Sequence, residues 1–368
     1  MRNERYARHY VLQGFGEAGQ QKLQAARLLV VGAGGLGCPV LQYLAAAGVG
    51  HIGIIDDDRI DLCNLHRQVL YDTADIGQAK AEVAARKLRL QNPDIEITYW
   101  VKQLKSANAV ELLQSYDVIL DCTDNFAARY LLCDACRLLD KPLVFGAIYQ
   151  YEGQIAVFNV ADDQGVKTSY RHLFPGPPSP LEAPDCNVAG VLGVLPGMIG
   201  ILQATEAIKL LTGIGVILVN KLMTVNMLDH STFTFDIPQV APESSSYPQT
   251  LEALEDFDYI HYCASADVQI QVITATELIT QWHATDLLLV DVRELYELPR
   301  LPVHHLSIPL TALPAQLEQI NSARVIFICQ SGKRSLTAAQ YFHEQAGNNQ
   351  QIFHVDGGMM ALKNYLND

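Results

Sequence analysis

The sequence predicts an α/β protein folded in two parts, and three observations carry that prediction. Through about residue 235, short apolar runs of strand length alternate with helical patterns. A glycine-rich turn joins the first of these runs to its helix. The periodicity then fades from Pro238 to about Gln269, through APESSSYPQT and the acidic residues Glu252, Glu255, Asp256 and Asp258. A second strand-and-helix pattern of about 100 residues follows. We therefore divide the chain into a first domain at 1–240, a linker at 241–268 and a second domain at 269–368.

In the first domain the expected strands are Leu28–Val31, Ile52–Ile55, Val118–Asp121, Leu143–Ile148 and Ile155–Phe158. Helical patterns occupy Leu36–Ala47, Lys80–Leu90, Phe126–Leu139 and Gly200–Leu211. The second domain offers strands at Leu287–Asp291, Val325–Ile328 and Ile352–Val355. A composition of 49% hydrophobic and 18% charged residues argues against wholesale disorder. Forty acidic against 26 basic residues give a net charge of −14, which speaks against a general nucleic-acid or anionic-membrane binder. Eight cysteines in 368 residues are too sparse for a disulfide scaffold, and no secretory signal precedes them. The expectation is a soluble cytoplasmic protein with free thiols. The most apolar stretch, Gly190–Leu202, contains Pro196 and reads as too short and too broken to span a bilayer.

After Leu28–Val31 come Gly32, Ala33, Gly34, Gly35, Leu36 and Gly37, and then an apolar helix. Glycines there let the backbone turn sharply and approach a phosphate, while backbone N–H groups and the helix N-terminus hold the anion. Asp56 ends the next strand, 19 residues beyond Gly37, where a carboxylate can accept hydrogen bonds from ribose hydroxyls. These features fit NAD, FAD or ATP. Asn64, Arg67 and Gln68 follow directly, Lys80 opens a helix, and Asp121-Cys122-Thr123-Asp124-Asn125 closes a later strand. A dinucleotide pyrophosphate needs no such clamp of donors and positive charges. A triphosphate about to be cleaved does, because charge shifts onto the departing pyrophosphate. Asp124 is placed to hold Mg2+ against those oxygens. The clamp argues against nicotinamide-dependent hydride transfer.

The motifs GAGGLG, DDDRIDLCNLHRQ, GQAKAE and DCTDNFAARY resemble the adenylating domains of the ubiquitin-activating superfamily, most closely the bacterial molybdopterin-synthase and thiamin sulfur-carrier adenylyltransferases. Arg5-Tyr6-Ala7-Arg8, Gly190-Val191-Leu192-Gly193 and the segment Ala204–Leu211 extend the resemblance over residues 5–235. It implies a Rossmann-like ATP-binding fold with a mixed sheet flanked by helices. It implies that Gly35, Asp56, Asn64, Arg67, Lys80 and Asp124 bind Mg-ATP, with Gly32, Gly34, Gly37, Gln68 and Asn125 completing the site. It further implies a homodimer in which Arg8 reaches the neighbouring subunit's nucleotide. The implied reaction activates a ubiquitin-like carrier ending in Gly-Gly, whose terminal carboxylate attacks the α-phosphorus of ATP. Arg67, Lys80 and Asp124 are then the catalytic residues of that step.

The resembled family usually carries two Cys-x-x-Cys pairs that bind a structural zinc. The first falls at Ser169-Tyr170-Arg171-His172 and the second near Glu243–Tyr247, and no cysteine remains at either. His172 alone does not make a tetrahedral site, so no zinc is expected. Cys133-Asp134-Ala135-Cys136 lies inside an apolar helical pattern and reads as core-facing thiols. Cys186 follows Phe174-Pro175-Gly176-Pro177-Pro178-Ser179-Pro180, too proline-rich for helix or sheet. Relatives use a cysteine here in thioester or acyl-disulfide chemistry, and we place Cys186 with the catalytic residues; the bland alternative is a loop cysteine without a role.

In the second domain Val325–Ile328 leads into Cys329-Gln330-Ser331-Gly332-Lys333-Arg334, and a helical pattern begins near Ser335. Loop N–H groups, the helix dipole and the cations Lys333 and Arg334 are arranged to stabilise a thiolate on Cys329. This loop resembles the active-site loop of rhodanese sulfurtransferases, as do Leu289–Glu294 and Asp356-Gly357-Gly358. The resemblance implies a small α/β rhodanese domain carrying a persulfide on Cys329. Four residues between Cys329 and Arg334, against five in related phosphatases, make a tighter cradle that suits sulfur. Joined, the domains imply adenylation of a carrier followed by sulfur transfer to a thiocarboxylate, with a sulfur donor such as a cysteine desulfurase loading Cys329. Molybdopterin, thiamin and tRNA-thiolation carriers all suit this sequence, and a non-catalytic scaffold for a ubiquitin-like partner is the alternative of another class.

Overall fold

The computed structural model describes residues 4–178, 190–240, 247–263, 270–284, 286–346 and 350–363. They fall into two compact units, one built from 4–177 with 190–263 and one from 270–363.

The first unit holds eight strands: β1 Arg27–Val31, β2 His51–Ile55, β3 Glu96–Trp100, β4 Val118–Asp121, β5 Leu143–Tyr149, β6 Glu152–Phe158, β7 Lys221–Asn226 and β8 Thr232–Asp236. Their order across the sheet is β3-β2-β1-β4-β5-β6-β7-β8. The first five run parallel and the last three antiparallel, a mixed sheet. The apolar runs of β1, β2 and β4 are continuous because helices cover both faces. Leu28, Val30 and Ile52 point into one core, and Leu29, Val31 and Ile119 into the other. Strand order reverses between β1 and β4, and the segments following both strands open into the same crevice.

Strand β3 and the antiparallel pair β7–β8 escape the sequence reading because most of their residues are partly or fully exposed, Ile97, Leu222 and Val225 being the buried ones. All five residues of β8 are exposed, so its alternating Thr-Phe-Thr-Phe-Asp faces no core, and the sequence reading passes over it. The apolar stretch around residue 196 belongs to a longer element than expected, the helix Val194–Thr212. Pro196 sits in its first turn, where no intrahelical N–H is required. By length and composition this helix is apolar enough to cross a membrane. Here Leu195, Ile199, Ala204 and Ala207 bury one face of it in the core, while Val194 and Ile201 are exposed.

The predicted linker also needs correction. Residues 250–263 form helices Leu251–Asp256 and Tyr259–Cys263, packed on the first unit. Thr250 caps the first, its hydroxyl accepting from Ala253 N–H at 3.2 Å. Leu254 is fully buried and Tyr259 nearly so, two anchors too few to show as a periodic pattern in an acidic segment.

The second unit is a five-stranded, fully parallel sheet. Its strands are β9 Gln271–Ile273, β10 Leu287–Asp291, β11 Leu306–Ser307, β12 Arg324–Ile328 and β13 Gln351–Val355, in the order β11-β10-β12-β13-β9.

Candidate active site

A cleft of about 1020 Å³ opens at the carboxyl ends of the parallel strands in the first unit. Its floor is the glycine loop. Gly32 adopts φ +96°, and a Cβ there would lie 2.5 Å from the Cys122 carbonyl oxygen. One on Gly37 would lie 2.0 Å from the Gly32 oxygen. Gly37 thus serves the helix packing rather than the cleft, whereas Gly32, Gly34 and Gly35 line it.

Asp56 follows β2 and reaches back to the loop, its carboxylate accepting Ala33 N–H at 2.7 Å and Asp58 N–H at 2.9 Å. Burial pushes its carboxyl up to about 6, with Lys80 and the two N–H groups pulling the other way. Lys80 opens the helix Lys80–Gln91, is 5% exposed, and donates to the Asp58 carboxylate at 2.7 Å. Tyr71 fastens this arrangement by donating to the carbonyls of Ala33 at 2.8 Å and Lys80 at 3.2 Å. Asn64, Arg67 and Gln68 come from the 3-10 turn after Asp61, whose carboxylate caps it by accepting Cys63 N–H at 2.8 Å. Arg67 donates to the Cys63 carbonyl at 3.2 Å. Gln68 is buried, and its Oε1 has no hydrogen-bond partner among the described residues.

Across the cleft, the segment after β4 is shaped by Asp121, fully buried. Its Oδ1 accepts Thr123 N–H at 2.9 Å and Thr123 O–H at 2.6 Å. Arg129 donates to the Thr123 carbonyl at 3.3 Å and lies over the Phe145 ring at 5.1 Å. This scaffold presents Asp124, exposed, to the cleft. Asn125 lines the cleft too, but its Oδ1 caps the helix Phe126–Leu138 by accepting Ala128 N–H at 2.9 Å. The cleft therefore brings together Gly32, Gly34, Gly35, Asp56, Asn64, Arg67, Gln68, Lys80, Asp124 and Asn125. Arg8 stands exposed on the helix Ala7–Tyr10 and does not line it.

Where the resembled family binds zinc, the residues present do not suit the ion. Ser169 and His172 bond each other, Oγ to Nδ1 at 3.0 Å, and burial pulls the imidazole pKa down. Between them Arg171, 1% exposed, makes a bidentate pair with buried Asp134 at 2.7 and 2.8 Å. It also donates to Tyr262 O–H at 2.8 Å and lies 4.4 Å from the Tyr247 ring centre. Tyr259 donates to Asp134 at 2.7 Å. Cys133 and Cys136 face the core, where burial pushes both thiols up. Cys186 and residues 243–246 lie outside the described residues.

In the second unit Cys329 is fully buried between β12 and the helix Lys333–Ala346. Its thiol lies 3.5 Å from Ser335 Oγ, which donates to the Gly332 carbonyl at 2.9 Å. Met359 N–H donates to the Cys329 carbonyl at 2.8 Å, fixing the loop against the Gly357-Gly358 turn. Lys333 is exposed. Arg334 departs from the expected free cation: it makes a bidentate pair with Glu297 at 2.5 and 2.7 Å, which offsets its charge.

The sequence pattern of the ThiF family matches residues 6–248. The chain belongs to the ThiF family. A rhodanese-like domain matches residues 274–365, so this ThiF protein carries both parts. The probable adenylyltransferase/sulfurtransferase MoeZ of Mycobacterium tuberculosis is 39% identical over 371 residues, covering 97% of this chain and 92% of that one. The sulfur carrier protein adenylyltransferase of Thermus thermophilus is 50% identical over 229 residues, 62% of this chain and 84% of that one. E. coli MccB, solved with ATP, shares the fold at TM-score 0.54 and 22% identity, covering 66% of this chain and 74% of that chain.

Several cleft residues were missed by sequence reasoning: Arg129, Lys102, Lys105 and the segment Phe257–Ile260. Arg129 stands within DCTDNFAARY and was readable there. The others reach the cleft through tertiary packing alone.

Proposed function

We propose that the first unit adenylates the C-terminal glycine of a ubiquitin-like sulfur carrier, and that the second delivers sulfur from Cys329 to give a thiocarboxylate. One observation carries the reading: the glycine loop, Asp56, Arg67 and Lys80 converge on one cleft, with Asp124 on the opposite wall. ATP places its phosphates over the glycine loop and its ribose on Asp56. Lys80 exchanges its Asp58 partner for phosphate oxygens, and Arg67 and Gln68 meet the same polyphosphate. The carrier carboxylate attacks the α-phosphorus, an O–P bond forms as the bond to pyrophosphate breaks, and the leaving pyrophosphate keeps its electron pair. The residues act by orientation and charge, without an enzyme nucleophile. Asp124 suits Mg2+, a cation that asks the protein for one or two carboxylates and would neutralise charge on the phosphates.

The terminal sulfur of a Cys329 persulfide then attacks the acyl carbon and expels AMP, leaving an acyl disulfide. A thiol, assigned here to Cys186, reduces that disulfide by two electrons, releasing the thiocarboxylate and forming a disulfide with Cys329. An external dithiol reductant then reopens the Cys329 disulfide by two electrons, and a donor such as a cysteine desulfurase loads the persulfide on the freed thiol. We assign the protein to molybdopterin-type carriers in the cytoplasm, working as a homodimer in which Arg8 reaches the partner's nucleotide. The test is ATP–pyrophosphate exchange that depends on a carrier ending in Gly-Gly, with intact mass of the carrier as the second readout. A carrier that acquires neither AMP nor sulfur overturns the reading in favour of a non-catalytic scaffold.

A further inference from the structure

The cleft has an outer wall that neither the glycine loop nor the clamp explains. Glu255, Asp256, Phe257, Asp258, Tyr259 and Ile260 line it, and all belong to the segment that follows the ThiF match. The wall is fastened in place. Ser106 O–H donates to the Phe257 carbonyl at 2.6 Å, Leu254 is fully buried, and Tyr259 is bonded to Asp134. Ser106 opens the helix after the loop 101–105, which leaves β3. Strand β3 neighbours β2, and Asp56 N–H donates to the Trp100 carbonyl at 3.2 Å. The wall therefore lies beyond Asp56 on the side away from the glycine loop.

That position fixes which end of a nucleotide meets it. With phosphates over the loop and ribose at Asp56, the base is the part left to extend outward. Charge agrees. Glu255, Asp256 and Asp258 outnumber Lys102 and Lys105, which share this end of the cleft, so it repels polyphosphate and suits a neutral base with amino donors. Ile260 adds an apolar side chain, 68% exposed, that a base can cover.

We propose that the segment Glu255–Ile260 is the base-binding wall of the nucleotide site, making the connector to the second unit part of the ATP pocket. This rests on the adenylation reading above. Hydrogen exchange of the full chain, free, with ATP and with inorganic tripolyphosphate, tests it. ATP slows exchange at 255–260, whereas tripolyphosphate slows it only around the glycine loop and Lys80. Ile260→Ala, in a residue whose exposure spares the fold, weakens ATP binding about three- to tenfold and leaves tripolyphosphate binding unchanged. Ser106→Ala, which frees the Phe257 carbonyl, acts in the same direction. ATP binding without protection of 255–260, or equal protection by tripolyphosphate, overturns this inference alone. Failure of the unaltered chain to bind ATP at all overturns the inference and the adenylation reading together.

Discussion

Arg171 is the residue whose loss the first unit should tolerate least. Truncation by Arg171→Ala leaves Asp134, fully buried, with Tyr259 O–H as its remaining side-chain donor among the described residues. It also removes bonds to Tyr262 and to the Pro175 carbonyl at 3.3 Å, and the cationic contacts with three tyrosine rings. Breaking a buried ion pair by deleting one partner costs about 3–5 kcal/mol, because the other charge stays uncompensated. For a unit of this size, that lowers the melting midpoint by roughly 6–20 °C. The chain has two tryptophans, Trp100 in the first unit and Trp282 in the second, so a Trp282→Phe background makes urea unfolding by fluorescence report the first unit. Replacing the whole arrangement by Arg171→Met, Asp134→Leu and Tyr259→Phe should recover most of the loss, since apolar groups of similar volume need no partners. A loss below about 1 kcal/mol for Arg171→Ala, or no recovery in the triple variant, would refute the claim that this pair holds the region.

Three further outcomes are expected. Lys80→Ala should lower carrier-dependent ATP–pyrophosphate exchange about 100-fold or more, as loss of one preorganised charge-stabilising donor does, while circular dichroism stays unchanged. Asp56 has a folded-state carboxyl pKa raised from its ordinary value of 3.8 to about 6. It binds its proton between those values, so its contribution to stability falls as pH rises through that window and is constant above it. ATP affinity moves the opposite way: it is full above about pH 6, where the carboxylate accepts ribose hydroxyls, and declines below. Asp56→Asn, read by calorimetric titration from pH 5 to about 8, should bind more weakly and lose this dependence. Glu297→Gln should leave the Arg334 charge unbalanced beside Cys329, so iodoacetamide alkylation of Cys329 should run faster than in the unaltered chain under the same conditions; an unchanged rate would count against the pairing.

Much of the cleft could be read from the order of residues because its parts sit where local rules put them. The glycine loop follows the first strand, Asp56 follows the second, Lys80 begins a helix, and Asp124 follows β4. Spacing carries such positions. What escaped depends on partners far along the chain. Arg171 lies between two lost cysteines and looked incidental, yet its partners stand 37 and 91 residues away. The acidic run at 252–258 resembles a solvated linker because only Leu254 and Tyr259 anchor it. Arg334 looked like a thiolate partner until Glu297, 37 residues upstream, took its charge.

The contact between Gly32 and Cys122 has a genetic corollary. The atom that excludes any side chain at position 32 is a main-chain oxygen, present whatever residue occupies position 122. Exchanging Cys122 therefore cannot make room, and an allele with alanine at 32 should have no compensating allele at 122. Suppressors of such a lesion would have to arise elsewhere, by shifting β1 against β4. That shift would disturb the register joining Val31 to Asp121, which carries the turn before Asp124.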